Sequence, residues 1–429
     1  LVRKINRGGI FGWYAVELTV WGRIGTEAFL MQRNCRAGMS LIEMLVAMVV
    51  TLIMMGGVVA LFGTVGDSVS GSRAVIEISE RLRFARNRLQ EDLSGVTVTM
   101  LPPRKPETGE GYFEYIEGGD NDTIGMVSPF VDGSNNPLEG FGLQGDAGDI
   151  LMFTARSRGE PFIGRINGQS MSSPEAEIAW FALPDMNAKQ ILTESGAAIP
   201  LMTLYRRVRL VAPQIILNDP TEQHDLSVSL GTSKPNTLGD LTKRENRSGI
   251  RDVNNFPHEL TGTPVLAADR LGEDVILTNV LSFDVRAWDP NAPVLLANNT
   301  AITPGDKAYA DTSVTANQLS NGCYVDLGFN AYLPAARQAT SWFSSSGSLS
   351  LPTYDTWSWH YEADGPGVNG IDDTAAGQPG HGIVDDPTEM VAPPPYPVPL
   401  RGIQVKIRVY EPDSRQVREV TLVQDFLPQ

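Results

Sequence analysis

Apolar positions change their spacing along this chain, and each change predicts a different element. From Met44 to Gly66 no charged residue occurs. At ~1.5 Å per residue a helix over that run reaches roughly 33 Å, enough for a hydrocarbon core of ~30 Å. Further on, the spacing becomes three and four: Val75, Ile78, Leu82, Ala85, Leu89, Leu93 and Val96. Glu77, Glu80, Arg81, Arg83, Arg86, Arg88 and Glu91 fill the positions between. The spacing predicts that the helix continues with one apolar face, packed on a sheet of its own domain. It should stop near Ser94-Gly95, where glycine ends a helix. Gly56-Gly57, Gly63 and Gly66 mark places for kinks or close helix–helix approach.

From Val98 onward the pattern turns to strands. Tyr112–Glu117, Ile150–Thr154 and Ile178–Phe181 are short β-like runs bounded by Gly, Asp and Pro. Leu201–Val211 mixes apolar residues with Arg206, Arg207 and Arg209, as a half-exposed strand would. Val275–Val280 leads into Leu281–Trp288, whose clean alternation predicts a strand with one wet face. The C-terminus predicts a hairpin: Ile403–Tyr410, a turn around Pro412-Asp413-Ser414, then Val417–Phe426, with period two on both arms. Residues 216–262 and 338–400 lack apolar periodicity and are expected to be loop insertions on one domain. The second ends in Pro393-Pro394-Pro395-Tyr396-Pro397, a stiff extended connector. The expected fold is therefore α+β: a long N-terminal helix, apolar then amphipathic, on an antiparallel sheet with large insertions. The expected divisions are 1–38, 39–66, 67–97 and 98–429.

One residue breaks the apolar logic. Glu43 stands at the head of the uncharged run, five positions after Gly38. A buried unpaired charge costs about 2.5–3.5 kcal/mol even on the lenient insertion scale, so this carboxylate needs a partner. A free α-amino group on Met39, made by cleavage after Gly38, would serve, and one chain's amine could neutralise a neighbour's glutamate. The alternative is an uncleaved anchor in which Glu43 snorkels to the interface.

Gly38-Met39-Ser40-Leu41-Ile42-Glu43 followed by the apolar run resembles the processing signal of type IV pilins and type II secretion pseudopilins. The resemblance implies that prepilin peptidase cuts between Gly38 and Met39 and methylates the Met39 amine. Met39 stands where the family usually has phenylalanine. It further implies that Glu43, at the fifth mature position, pairs with an amine of an adjacent pilin or pseudopilin subunit. The helix would then leave the membrane lipid for a fibre built on an inner-membrane assembly platform. In the head, Gly111–Gly118, Leu204–Arg209 and the C-terminal hairpin look most like the J-type minor pseudopilin or the W-type minor pilin.

Charge sets the orientation. Residues 1–38 carry a balance of +4, and Arg33 and Arg36 lie just before the apolar run, whereas Asp67 is the first charge after it. By the positive-inside rule the N-terminus stays cytoplasmic and the head is exported across the inner membrane. Met31–Gly38 alone would make a short basic leader, so residues 1–30 are read as an extension upstream of the start. Removing the leader takes the net charge from −16 to −20, which argues against a nucleic-acid partner. Of the two cysteines, Cys35 leaves with the leader, and Cys323 is expected to be a small buried apolar residue.

Other chemistry is sparse. Asp364, Asn369, Asp372 and Asp373 gather hard oxygen ligands on one glycine-rich loop, echoed by Asp385, Asp386 and Glu389. They could help hold calcium, which takes six to eight oxygens, although EF-hand spacing is absent; a solvated acidic loop is the plainer reading. Trp357, Trp359 and Tyr361 alternate, with Trp342 and Tyr354 near, as a stacking platform or a small satellite core. His224, His258, His360 and His381 show no metal-ligand spacing, and no nucleophile elbow or phosphate loop occurs. An enzyme is not expected. The expected function is a minor pseudopilin- or pilin-like structural subunit, at the tip or in initiation of a filament. The alternative is a membrane-anchored module binding a glycan or protein.

Overall fold

The computed structural model describes residues 40–102, 104, 108–118, 130–131, 147–166, 168–184, 191–193, 198–199, 201–217, 225–229, 234–247, 273–345, 351–356, 376–377, 395–412 and 416–426. By contacts the chain divides into two compact units, Leu1–Val65 and Gly66–Gln429. One helix, α1 (Leu41–Ser94), carries both the apolar run and the amphipathic stripe. Strands follow in the order β1 (Phe113–Ile116), β2 (Phe130–Val131), β3 (Ile150–Arg156), β4 (Phe162–Ile166), β5 (Gln169–Ser173), β6 (Glu175–Pro184), β7 (Ile191–Thr193) and β8 (Ala198–Ile199). They continue with β9 (Met202–Leu210), β10 (Glu273–Ala297), β11 (Thr300–Ile302), β12 (Asn317–Val325), β13 (Thr353–Asp355), β14 (Gly402–Glu411) and β15 (Gln416–Asp425). The architecture is α+β, as the pattern predicts.

The main sheet runs β13-β1-β3-β6-β9-β10-β14-β15, with β11 and β12 added to β10, and all its pairings are antiparallel. The predicted helix stripe is the packing face: Ile78, Leu82, Ala85, Leu89 and Leu93 are buried in one core with Phe113, Phe153, Trp180, Leu204, Phe283 and Val405. Glycine ends α1 for a steric reason as well as an entropic one. A Cβ at Gly95 would stand 2.4 Å from the Arg156 carbonyl oxygen, so only glycine admits this close approach. The C-terminal hairpin forms β14 and β15 in unbroken register from Gly402↔Asp425 to Glu411↔Gln416.

The sheet departs from expectation on its second face. Ile116, Ile150, Met152, Ala179 and Phe181 alternate with the first core and are also buried. What covers them is the segment around Leu238 and Leu241, inside the stretch expected to be loop. Leu201–Val211 is therefore no half-exposed strand: Arg207 and Arg209 are buried on this face, and Arg206 is buried on the other, against Asp92 of the helix. Ser282, Asp284 and Arg286 of β10 are buried too, where a wet face was expected. Arg286 Nε reaches Asp284 Oδ1 at 3.2 Å and Asp326 Oδ1 at 3.1 Å, and the turn at Gly305 lies against its guanidinium.

Between β9 and β10 the ladder stops at Val280↔Met202, after two register shifts and a left-handed Asn279 (φ 58°). Past that point side chains satisfy the strand edge. Val285 N–H donates to Asp149 Oδ2 at 2.6 Å, and the Tyr115 hydroxyl donates to the Val285 carbonyl. Asp149 also accepts from Gly118 N–H at 2.9 Å, and Glu117 accepts from Leu327 N–H at 2.9 Å. Burial, with the Asp149 and Glu117 carboxylates beside it, pushes the Tyr115 phenol well above its ordinary value.

Candidate functional site

The start of α1 is the site to which the sequence points. Ser40 is its N-cap: the Ser40 carbonyl accepts from Glu43 N–H at 3.0 Å and from Met44 N–H at 3.2 Å. The Ser40 hydroxyl accepts from Glu43 N–H at 3.2 Å, and Glu43 Oε2 accepts from Ser40 N–H at 3.3 Å. These reciprocal bonds form a capping box, which satisfies donors that every helix N-terminus otherwise leaves unpaired. Ser-x-x-Glu ahead of an apolar run is legible in the sequence as a capping box, a signal overshadowed there by the need of the Glu43 charge for a cation. Gly38 and Met39 lie outside the described residues.

Beyond the box, the residues from Leu41 to Gly66 are all exposed, including Leu52, Ile53, Met54 and Phe62. By length and composition α1 can cross a membrane, and none of its most apolar window is buried. An apolar helix surface of this size is costly in water and requires either lipid or other helices.

The head holds its own charged constellations, and none was anticipated. Asp92, on the buried face of α1, accepts from Arg206 Nε at 2.7 Å, Arg206 Nη2 at 2.8 Å and Trp180 Nε1 at 2.9 Å. On the opposite side of the sheet Glu114 and Asp355, on the paired strands β1 and β13, meet Arg244 and Arg247. Arg247 Nη1 lies 2.6 Å from both Glu114 Oε2 and Asp355 Oδ2, and Arg244 Nη2 lies 2.5 Å from Glu114 Oε1. The Arg247 guanidinium also stacks 3.9 Å over Tyr112, whose hydroxyl donates to Glu177 at 2.8 Å.

Burial favours the neutral form of Glu114, but Arg244 and Arg247 outweigh it and hold the carboxyl below its usual range. For Asp355 burial prevails over the same two cations and lifts the carboxyl to about 6. These groups are closed off from solvent and tie three distant segments together, so their role is to hold the fold. Cys323 is buried, as expected, and burial with Asp289 nearby pushes its thiol up to about 12.

The remaining sequence candidates divide. Asp364, Asn369, Asp372 and Asp373 lie outside the described residues, as do the four histidines, Trp357, Trp359 and Tyr361. Among the described residues no group of three or more His, Cys, Asp or Glu is placed to hold a metal ion. Tyr354 is fully buried, edge-on to Phe113 and Phe343, and so serves a core and not an exposed platform. Trp342 is half-buried beneath the Arg401 guanidinium at 5.1 Å.

Residues 33–59 match the family described as the prokaryotic N-terminal methylation motif, the signal of type IV pilins and pseudopilins. The match takes in Gly38, Met39, Ser40 and Glu43. No curated protein and no solved structure matches the chain. The motif and the one membrane-length apolar helix among the described residues fit a processed, pilin-like subunit anchored in a membrane.

Proposed function

We propose that this chain is a minor pseudopilin or pilin-like structural subunit. Prepilin peptidase cuts it between Gly38 and Met39 and methylates the new amine. The helix over 39–66 then passes from the inner membrane into a filament whose tip or starting point the head forms. The observation that carries this reading is Glu43 at the fifth position after Gly38, within the matched signal, at the head of a helix whose apolar run from Leu41 to Gly66 is wholly exposed. In hydrocarbon the carboxylate is tolerable only with a cation, and a methylated N-terminus from an adjacent subunit supplies one. That pairing fixes the axial register of one subunit on the next. Arg33 and Arg36 hold the N-terminus on the cytoplasmic side, and the head lies across the membrane. Buried charge in the head is matched and enclosed, which favours a structural role over a catalytic one.

Mass spectrometry of the chain from its native cells tests the reading. N-methyl-Met39 is the expected N-terminus. Glu43→Ala should insert into the membrane normally yet be lost from filaments at least tenfold, and Gly38→Ala should stay as precursor. A Gly38–Met39 bond left intact in cells would overturn the assembly reading and leave an anchored exported module.

A further inference from the structure

We infer that β15, the outer strand of the main sheet, accepts an extended strand from a different protein, one with apolar residues on the core side and basic residues beside Glu419. The sheet path ends at β15, which pairs with β14 over ten residues without a bulge. Hydrogen bonds alternate along an antiparallel ladder. Phe426 N–H donates to the Arg401 carbonyl at 2.9 Å, so the even-numbered residues of β15 bond to β14. Val417, Glu419, Thr421 and Val423 therefore aim their N–H and C=O groups away from the sheet, where no backbone partner stands among the described residues. Other outer strands are protected. β13 has three residues, all buried, and β12 meets β10 through register shifts beside the left-handed Gly322 (φ 100°). Short strands and bulges deter a further strand, whereas Val420–Gln424 has no charge, proline or bulge.

Side chains define the occupant. On the core side Leu422 is buried and Val420 half-buried, so an apolar residue beside them would be covered. On the other side Arg408 Nε and Nη2 both reach Glu419 Oε2, at 3.1 Å and 2.6 Å, which leaves Oε1 to a basic residue of the incoming strand. A basic partner also suits a chain of net charge −16. A second copy does not fit. Two β15 strands paired antiparallel are related by a two-fold axis normal to the sheet. α1 lies along the sheet from Ile78 to Leu93, so that axis would reverse it, whereas copies anchored in one membrane by the same helix run the same way. This step takes only the anchor from the reading above.

The test is amide hydrogen exchange, residue by residue, on the full chain in detergent. The probe is a free peptide of the sequence Gly402–Glu411, which has the required pattern: Ile403, Val405 and Ile407 toward the core, Lys406 and Arg408 on the other side. In the chain alone the outward amides of Glu419, Thr421 and Val423 should exchange freely, while those of Val420 and Leu422 are protected by β14. Saturating peptide should slow the outward amides by about tenfold or more, as strand addition requires. The same peptide N-methylated throughout should slow none of them, and one with Lys406→Glu and Arg408→Glu should bind about fivefold more weakly. Thr421→Pro removes an outward donor and keeps every bond to β14, so it should abolish the slowing at Glu419 and Val423 while Leu422 stays protected. If that variant fails to fold, the methylated peptide still decides. Outward amides already slow in the chain alone, indifferent to the peptide, or slowed equally by its methylated form would overturn the inference. Slowing that rises with the concentration of the chain itself would assign the edge to a second copy and overturn the choice of partner. None of these readings needs cleavage at Gly38, so failure here and failure of the assembly reading are told apart.

Discussion

The two parts of α1 share one backbone conformation and have opposite surroundings. From Leu41 to Gly66 side chains are exposed on every side, whereas from Ile78 to Leu93 an apolar stripe is buried against the sheet. In the second part the partners are in the same chain: Asp92, one turn from Leu89, is fixed by Arg206 and Trp180. In the first part every large apolar residue lacks an internal partner, and the polar group that stands there, Glu43, is held by its own N-cap. The difference separates two kinds of information in one helix. The head half specifies a fold, and the apolar half specifies an environment that other molecules must provide.

The sharpest way to break the comparison is to make equivalent truncations in both parts. Arg206→Ala leaves Asp92 buried without its bidentate cation, and losing one member of a buried pair costs about 3–5 kcal/mol. That is a large share of the stability of a single domain. Leu52→Ala, on the apolar half, should change head stability by less than ~0.5 kcal/mol, as surface substitutions do. Denaturant unfolding of the full chain in detergent, followed by tryptophan fluorescence, reads both. Equal effects would mean that the two parts of the helix are not energetically distinct.

Legibility in the sequence follows the same division. The helix stripe and the C-terminal hairpin were readable because their signals are local: period 3.6 in one, period two in the other. The second core was not readable. Leu238 and Leu241 are too few to show a period, and Arg244 and Arg247 read as solvated loop charges. Their partners, Glu114 and Asp355, lie over a hundred positions away, and no spacing rule reaches that far. Arg206 of β9 misled for a related reason. An arginine implies water unless a carboxylate is waiting, and Asp92 waits for it on another element. At the helix start the opposite happened: Ser40 and Glu43 are three apart, and the local signal was overshadowed by the charge argument.

A medium-sized effect should appear with pH, and only in the head. In the unfolded chain Asp355 titrates near its ordinary 3.8, while in the fold burial lifts it to about 6. The native state therefore binds the proton more tightly. Asp355 opposes folding above about pH 6, and that cost disappears as the pH falls to 3.8. Glu114 works the other way: its native value is lowered, so its contribution is present at neutral pH and is lost in acid below its ordinary 4.5. Between pH 6 and 4.5 the parent should gain on the order of 2 kcal/mol relative to Asp355→Asn, which carries no titrating group there. Stability of both proteins measured across that range checks the sign. Parallel curves would show that Arg247 keeps Asp355 ionised throughout.

The smallest effect sharpens the comparison within the head half itself. Arg81 and Glu77 form an ion pair one turn apart on the outer face of α1, and both side chains are more than half exposed. Their chemistry matches that of Arg206 and Asp92, which are almost wholly buried. Water and salt screen the outer pair, and two long side chains must be ordered to form it, so Arg81→Ala should cost only about 0.3–0.5 kcal/mol. Because the loss is electrostatic and exposed, it should vanish in ~1 M salt, where the Debye length is about 3 Å, while the cost of Arg206→Ala should persist. A salt-insensitive loss at Arg81 would mean that its aliphatic stem packs on the helix surface, and that the outer face of α1 is less independent of the core than its exposure indicates.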